Sequence, residues 1–142
     1  MTVKYLGVDY GDSRVGIAAS DSGILAEAVT VLKTGSMRKA IDMTAEIVRS
    51  RGVQTVVIGL PLNMDGSEGE RAQKTRAFGR VLAKVTGARI EYRDERLTSV
   101  EAEQLMTEAG VKRQRRGEII DKAAARLILQ SYLDANISKD KE

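Results

Sequence analysis

Three short apolar segments, separated by turn residues, open the chain and predict an antiparallel meander. They cover residues 3–9, 14–20 and 24–33. Gly11 ends the first segment, and Asp21-Ser22-Gly23 supplies turn residues between the second and the third. Because these connections are only a few residues long, we expect neighbouring segments to pair as antiparallel strands.

The apolar pattern then changes to a helical period. Apolar positions recur every three or four residues from Met37 to Val48, and a basic turn followed by Gly52 is typical of a helix end. The β-branched segment 53–60 predicts a buried central strand, which leads into a glycine-rich loop over residues 59–66. A helix over residues 69–85 is predicted to bury one stripe, formed by Thr75, Phe78, Leu82 and Val85.

The last third of the chain predicts one more strand and two helices. The strand covers residues 88–92, and Thr98 with Glu101 forms a capping box at the start of a helix that runs to residue 109. The last helix is predicted over residues 118–134. The order β-β-β-α-β-α-β-α-α predicts an α/β fold, a mixed sheet with helices packed on it. We expect one domain over residues 1–138 and a flexible tail over residues 139–142.

Composition limits the chemistry that this chain can perform. Its 142 residues include no histidine and no cysteine, which excludes thiolate nucleophiles, thiolate metal sites and disulfides. We expect no membrane span, since no apolar run approaches the necessary length. The N-terminus lacks the basic and apolar regions of a signal peptide, so a cytoplasmic protein is the expectation.

The net charge of +3 is small, but part of the positive charge is concentrated in one segment. Lys112, Arg113, Arg115 and Arg116 lie within five residues. Such a cluster is typical of a surface that binds polyanions, and it would supply salt-sensitive affinity for nucleic acid without reading sequence. A solvated loop that keeps the protein soluble explains this segment equally well.

Three carboxylates are the best candidates for chemistry. Asp9 ends the first strand, where open α/β sheets bind ligands, although it could equally cap the turn at Gly11. Glu95 follows the fifth strand, and its spacing does not distinguish it from Asp94. Asp121 shares the packing face of the last helix, whose other members are Ala124, Ala125 and Ile128.

The alternative for each carboxylate is a structural role. Glu95 could form an ion pair with Arg93 or Arg96, and Asp121 could stabilise the first turn of a helix. Together, three acidic groups from two strand ends and one helix could hold Mg²⁺ or Mn²⁺ through oxygen ligands. Two such ions activate water and stabilise the leaving oxygen in phosphodiester cleavage, which requires no histidine.

Four motifs, in this order, resemble the YqgF-type pre-16S rRNA nucleases, also described as Holliday junction resolvase-like proteins. The motifs are Gly7-Val-Asp-Tyr-Gly11 with Arg14-Val-Gly16, Gly59-Leu-Pro-Leu-Asn-Met-Asp-Gly66, Asp94-Glu-Arg-Leu-Thr98, and Ile120-Asp-Lys-Ala-Ala124 with Ile128-Leu-Gln-Ser-Tyr-Leu133. The resemblance covers nearly the whole chain. It implies a ribonuclease H-like fold with a β-β-β-α-β-α-β-α core.

The resemblance also implies a site and an activity. Asp9, Glu95 and Asp121 would be the metal-binding catalytic carboxylates, which favours Glu95 over Asp94. The implied activity is endonucleolytic processing of the 5′ end of precursor 16S rRNA. Arg14 and Arg96 are candidates for binding backbone phosphates, because guanidinium groups bind phosphate bidentately. Their alternative role is to hold the acidic cluster together without metal.

Other functions remain open at this stage. The same carboxylates could cut four-way DNA junctions, which would require a homodimer rather than a monomer. The basic segment could instead belong to a non-catalytic nucleic-acid-binding factor in ribosome assembly or transcription. Asp9-Tyr10-Gly11 also resembles the phosphate motif of actin-like kinases, but those enzymes need two such lobes. Asp21-Ser22-Gly23 matches an aspartic protease triplet, which a hairpin turn explains more simply.

Overall fold

A computed structural model describes the backbone of residues 3–94 and 113–140, and within the last helix it describes the side chains of residues 123–136. The helix predicted over residues 98–109 lies outside this part. The strands are β1 Tyr5–Tyr10, β2 Arg14–Ser20, β3 Glu27–Lys33, β4 Thr55–Leu60 and β5 Arg89–Asp94. The helices are α1 Met37–Arg51, α2 Glu70–Thr86 and α3 Arg113–Asp140.

The five strands form one mixed sheet in the order β3-β2-β1-β4-β5. β1 pairs with β2, and β2 with β3, in antiparallel orientation, which confirms the predicted meander. β4 pairs in parallel with β1 and with β5. The carboxyl ends of β1, β4 and β5 therefore meet at one edge of the sheet.

Helices cover both faces of the sheet. On one face, α1 and α2 pack on a core that includes Leu6, Val8, Ile17 and Ile58. On the other face, α3 packs on a core in which its own buried side chains meet those of β2 and β4, namely Ala18, Val57, Ala125, Ile128, Leu129 and Leu133. Because side chains alternate along a strand, the odd-numbered residues of β1 face α3.

The first helix has a capping residue at each end. The Ser36 side chain accepts a hydrogen bond from the Lys39 backbone N–H at 3.3 Å. Gly52 adopts a left-handed conformation with φ of 66°, and its N–H donates to carbonyls of the last turn. The predicted glycine stop is thus confirmed, and Ala40, Ile41 and Val48 are buried as the pattern predicts.

Helix α3 runs antiparallel to β1 and packs closely against it at Gly7. The Tyr5 and Tyr132 ring centroids are 6.0 Å apart, whereas further along β1 the neighbours of Gly7 are Leu129 and Ala125. A Cβ atom on Gly7 would lie 2.7 Å from the Leu129 Cβ and 2.8 Å from the Ala125 carbonyl oxygen. The small side chains of Gly7 on β1 and Ala125 on α3 therefore allow the helix and the strand to approach closely.

Several predicted boundaries are wrong. The third strand begins at Glu27 rather than Ile24, and the fifth continues to Asp94 rather than ending at Tyr92. Val85 is 43% exposed instead of belonging to the buried stripe of α2. Helix α3 begins at Arg113 and ends at Asp140, so it includes the basic residues 113–116 and the first two residues of the expected tail.

Gln130 explains why the third strand begins late. Its side-chain Oε1 accepts a hydrogen bond from the Ala26 N–H at 2.8 Å, and its Nε2 donates to the Ile24 carbonyl at 2.7 Å. The amide of α3 thus satisfies backbone groups that a continued strand would have paired. Ile24 and Leu25 remain exposed, at 64% and 60%.

We predict that Gln130→Ala lowers the free energy of unfolding by about 1–3 kcal/mol, because the buried Ala26 N–H loses its partner. Chemical denaturation measures this loss, and amide hydrogen exchange at Ala26 should accelerate. The matched control is Gln73→Ala, an exposed position on α2 where alanine is at least as good a helix former. Equal stability of the two variants would contradict this role of Gln130.

Among the described residues, none of the helices has the length and apolar character needed to cross a membrane.

Candidate functional site

The candidate site lies at the edge where β1, β4 and β5 end, on the face covered by α3. Asp9 is the penultimate residue of β1, and its side chain faces α3 and is half-buried. Its register partner on β2 is Gly16. Continuing the register of β1 and β4 by one residue, from Val8 and Ile58, places Gly59 on the other side of Asp9. Neither neighbouring strand therefore places a side chain beside that of Asp9 in this row.

The backbone of α3 brings position 121 to the level of Asp9. Ala125 lies against Gly7, and Asp121 is one helical turn earlier, about 6 Å along the axis. Asp9 is two residues beyond Gly7, about 6–7 Å along β1 in the same direction. The Asp121 side chain lies outside the described part, so its contacts remain a prediction. The buried positions of Ala124, Ala125 and Ile128 confirm the predicted packing face of this helix.

Asp94 and Asp9 lie on opposite faces of the sheet, because side chains alternate along β5. On β5, Tyr92 contacts α2, where its hydroxyl donates to the Arg76 carbonyl at 3.4 Å. Arg93 points to the opposite face, where its Nε donates to the Ser131 Oγ of α3 at 2.9 Å. Asp94 shares the face of Tyr92 and therefore lies on the other side of the sheet from Asp9. Glu95 and Arg96 lie outside the described residues.

On the side of β2 and β3, two positively charged residues lie on the face of Asp9, two residues beyond its row. Arg14 begins β2 and occupies the α3 face, in phase with Gly16 and Ala18. Its register partner on β3 is Lys33, an exposed residue that the sequence motifs do not identify. The cross-strand pairing was the signal that could have identified Lys33, but it requires the register of β2 and β3.

The basic segment is partly helical, which corrects the prediction that it precedes the last helix. The backbone of Arg113, Arg115 and Arg116 belongs to the first turn of α3, while Lys112 lies outside the described residues. Gly117 does not end the helix, because one interior glycine costs only about 1 kcal/mol, which the flanking helix formers offset. Since Arg113 lies eight residues before Asp121, this turn extends about 12 Å beyond the level of Asp9.

The glycine-rich loop between β4 and α2 is held by its own hydrogen bonds. The Asn63 N–H donates to the Ser67 carbonyl at 2.9 Å, and the Gly66 N–H donates to the Asn63 carbonyl at 2.8 Å. The Ser67 hydroxyl donates to the Asp65 carboxylate at 2.6 Å. The loop therefore presents a defined shape at the same edge as Asp9, with Met64 93% exposed at its tip.

Perturbed ionisation near this edge has structural causes. Burial, with a smaller contribution from the charge of Asp12, raises the pKa of Tyr10, whose ring stacks on Phe78 at 4.4 Å. Just before α2, the hydrogen bond from Arg76 lowers the pKa of Glu68, and the two side chains form a bidentate pair at 2.6 and 2.9 Å. Tyr10 thus stays neutral and Glu68 ionised near neutral pH, so neither is poised for proton transfer.

Among the residues whose side chains are described, no three acidic side chains group together in a way that could hold a metal ion. Of the three predicted ligands, only Asp9 has a side chain that the structure describes. A carboxylate oxygen is a donor that Mg²⁺ and Mn²⁺ accept, and the half-buried Asp9 lies where the sheet edge and α3 converge. Asp9, whose side chain is described, therefore offers a donor of the kind that these ions prefer.

Curated relatives resemble this chain along almost its whole length. A protein of Myxococcus xanthus named "Putative pre-16S rRNA nuclease" is 41% identical, over 99% of this chain and 93% of its own. A protein of the same name from Pelotomaculum thermopropionicum is 44% identical, over 94% of this chain and 88% of its own.

Solved structures share the fold at low sequence identity. Thermus thermophilus RuvC in complex with a Holliday junction substrate superposes with a TM-score of 0.61 at 15% identity, covering 95% of this chain and 96% of that protein. The fowlpox virus Holliday junction resolvase gives a TM-score of 0.58 at 11% identity, covering 94% and 99%. The predicted ribonuclease H-like fold is confirmed.

Residues 3–135 match the protein family described as "RuvX: Holliday junction resolvase". With this match and relatives above 40% identity over nearly full length, the chain belongs to the RuvX family, which includes the YqgF-type sequences that its motifs resemble.

Proposed function

We propose that this protein is a nuclease that hydrolyses phosphodiester bonds in precursor 16S rRNA in the cytoplasm. The observation that carries the proposal is the convergence of Asp9 and position 121 at the carboxyl edge of the sheet, in a chain whose curated relatives are named pre-16S rRNA nucleases. Nuclease activity also agrees with the resolvase fold. Because one fold hosts many activities, the proposal depends on the residues of the site rather than on the fold.

We assign the metal ligands to Asp9, Glu95 and Asp121. Strand alternation supports Glu95, because one residue beyond Asp94 a continued strand would return to the face of Asp9. These carboxylates would hold Mg²⁺ or Mn²⁺, which supply an activated water and stabilise the leaving oxygen when bound. Tyr10, stacked on Phe78, fixes the end of β1 and with it the backbone of Asp9.

Recognition is expected to depend on the phosphate backbone and on RNA shape. Arg14 lies on the face of Asp9, and the first turn of α3 carries Arg113, Arg115 and Arg116 beyond the sheet edge. Together with Lys112 and Arg96, these cations would bind phosphates. The chain has four tyrosines and one phenylalanine, and Phe78 and Tyr10 are used in packing against each other. Sequence reading by base stacking is therefore not expected.

The proposal predicts that metal removal abolishes cleavage. A precursor 16S rRNA fragment that includes its 5′ leader should be cut by the purified protein with Mg²⁺ or Mn²⁺, and excess EDTA should stop the reaction because the carboxylates alone provide no activated water. Gel analysis of end-labelled RNA measures the products. Re-addition of Mg²⁺ is the control for irreversible damage, and cleavage that persists in EDTA would contradict the metal mechanism.

A second candidate function, resolution of four-way DNA junctions, is favoured by the family description and by the fold of the RuvC complex. The same protein preparation should be given a synthetic junction of equal length under the same conditions. Paired symmetrical cuts by a homodimer would support this function. Cleavage of rRNA alone by a monomer would support the first.

A further inference from the structure

We propose that Lys33 and Arg14 form a two-residue phosphate clamp that carries the substrate backbone from Asp9 over β2 and β3. This inference rests on the proposed nuclease function and deepens it, because it assigns a binding role to Lys33 and a path to the substrate. Its basis is the register of the antiparallel strands.

Arg14 and Lys33 lie directly opposite each other on one face of the sheet. Arg14 is the first residue of β2 and Lys33 the last of β3, and the two are register partners. Directly opposed residues of an antiparallel pair have Cβ atoms about 4.5–5.5 Å apart. Since Arg14 is in phase with Gly16 and Ala18, both cations occupy the face of Asp9.

The pair is at a suitable distance from Asp9 to bind neighbouring phosphates. Arg14 lies two residues beyond Gly16, the partner of Asp9, and Lys33 lies one strand further. Strand geometry gives Cα separations from Asp9 of about 8 Å for Arg14 and about 12 Å for Lys33. These separations are short enough for the two cations to contact phosphates close to the bond to be cut.

Electrostatics favours an anion at this pair. Two cationic side chains on the face of Asp9 attract a phosphate, and both bind its oxygens through charge-assisted hydrogen bonds. Arg14 is half-buried and offers a planar guanidinium, whereas the exposed Lys33 offers a point charge at the end of a long side chain. On the opposite flank of Asp9, the guanidinium of Arg93 is bonded to Ser131 and held towards α3. The β2–β3 side carries two cations on the face of Asp9, and it is the path that we assign to the phosphate backbone.

The test is the salt dependence of RNA binding by Lys33→Gln. Affinity for the precursor 16S rRNA fragment is measured in EDTA, so that binding is separate from cleavage, at several KCl concentrations. Loss of one phosphate contact should weaken binding roughly fivefold near 0.1 M salt and reduce the slope of log K against log[KCl] by about 0.7–0.9. Lys33→Arg should restore most of the affinity. In the cleavage assay KM should rise more than kcat falls.

Lys84→Gln is the matched control, because Lys84 is an exposed lysine in the last turn of α2, at the other end of the opposite face. Circular dichroism checks that both variants fold. If Lys33→Gln and Lys84→Gln bind RNA with the same affinity and the same salt slope, the clamp is refuted. This holds even if the wild-type protein cleaves the RNA. If the wild type binds and Lys33→Gln loses slope but no RNA is cut, the nuclease function fails while the clamp holds.

Discussion

Asp9→Asn is expected to lower kcat by about 10³-fold or more while leaving the fold intact. The substitution keeps the shape of a side chain that is half-buried at the end of β1, but it removes the charge proposed to hold the metal. A 10³-fold loss corresponds to about 4 kcal/mol of transition-state stabilisation, which is in the range expected for metal-assisted displacement. Single-turnover cleavage of the rRNA fragment measures it.

Binding and cleavage should separate in this variant. Without metal, Asp9→Asn should bind RNA at least as well as the wild type, since it removes a negative charge that repels phosphate. Thermal melting provides the check on folding. A variant that cuts at the wild-type rate would refute the role of Asp9 in the proposed mechanism.

The neighbouring acids on β5 supply a matched comparison. Asp94 occupies the α2 face of the sheet, whereas Glu95 is the residue that we assign to the site. We therefore expect Glu95→Gln to be as damaging as Asp9→Asn, and Asp94→Asn to retain most activity. The reverse order would mean that the metal is held on the other face. Asp12→Asn, at an exposed turn position with a long contact of 3.9 Å to Lys74, controls for loss of charge near β1.

The sequence predicted those parts of the fold that depend on interactions between residues close together in the chain. Gly52 ends α1 because the left-handed conformation favours glycine, and a Gly after a basic turn is readable from the sequence. The three-strand meander likewise follows from short connections. By contrast, Ile24 and Leu25 continue an apolar strand pattern but lie exposed, because Gln130, more than a hundred residues away, binds the backbone around them. No local pattern contains that information.

The candidate site shows the same division. Helical spacing correctly placed Ala124, Ala125 and Ile128 on a buried face. The Asp121 side chain lies outside the described part, so its place on that face stays a prediction. Spacing alone left the choice between Asp94 and Glu95 open, partly because the strand was predicted to end two residues too early. The structure adds the face of Asp94, which is that of Tyr92 and α2, and the role of Glu95 stays a proposal. Lys33 was missed for a related reason: its proximity to Arg14 depends on a register that includes a bulge in β3.

Gly7→Ala is expected to lower the free energy of unfolding by about 2–3 kcal/mol. The new methyl group would lie 2.7 Å from the Leu129 Cβ and 2.8 Å from the Ala125 carbonyl oxygen. Neither atom is the end of a flexible side chain, so α3 or β1 must move, and overpacking of this kind costs more than the few tenths gained from lower chain entropy. Thermal denaturation should show a fall in Tm of roughly 5–10 °C.

The same displacement should reduce activity, which distinguishes Gly7→Ala from a substitution that only destabilises. Because Ala125 is one turn from Asp121, moving α3 off the sheet separates position 121 from Asp9. At a temperature where the variant is folded, kcat should fall and more Mg²⁺ should be needed for half-maximal rate. Gly35→Ala is the control, since a Cβ there meets nothing within 4 Å. If Gly7→Ala melts and cleaves like Gly35→Ala, the close contact of α3 with β1 does not position the site.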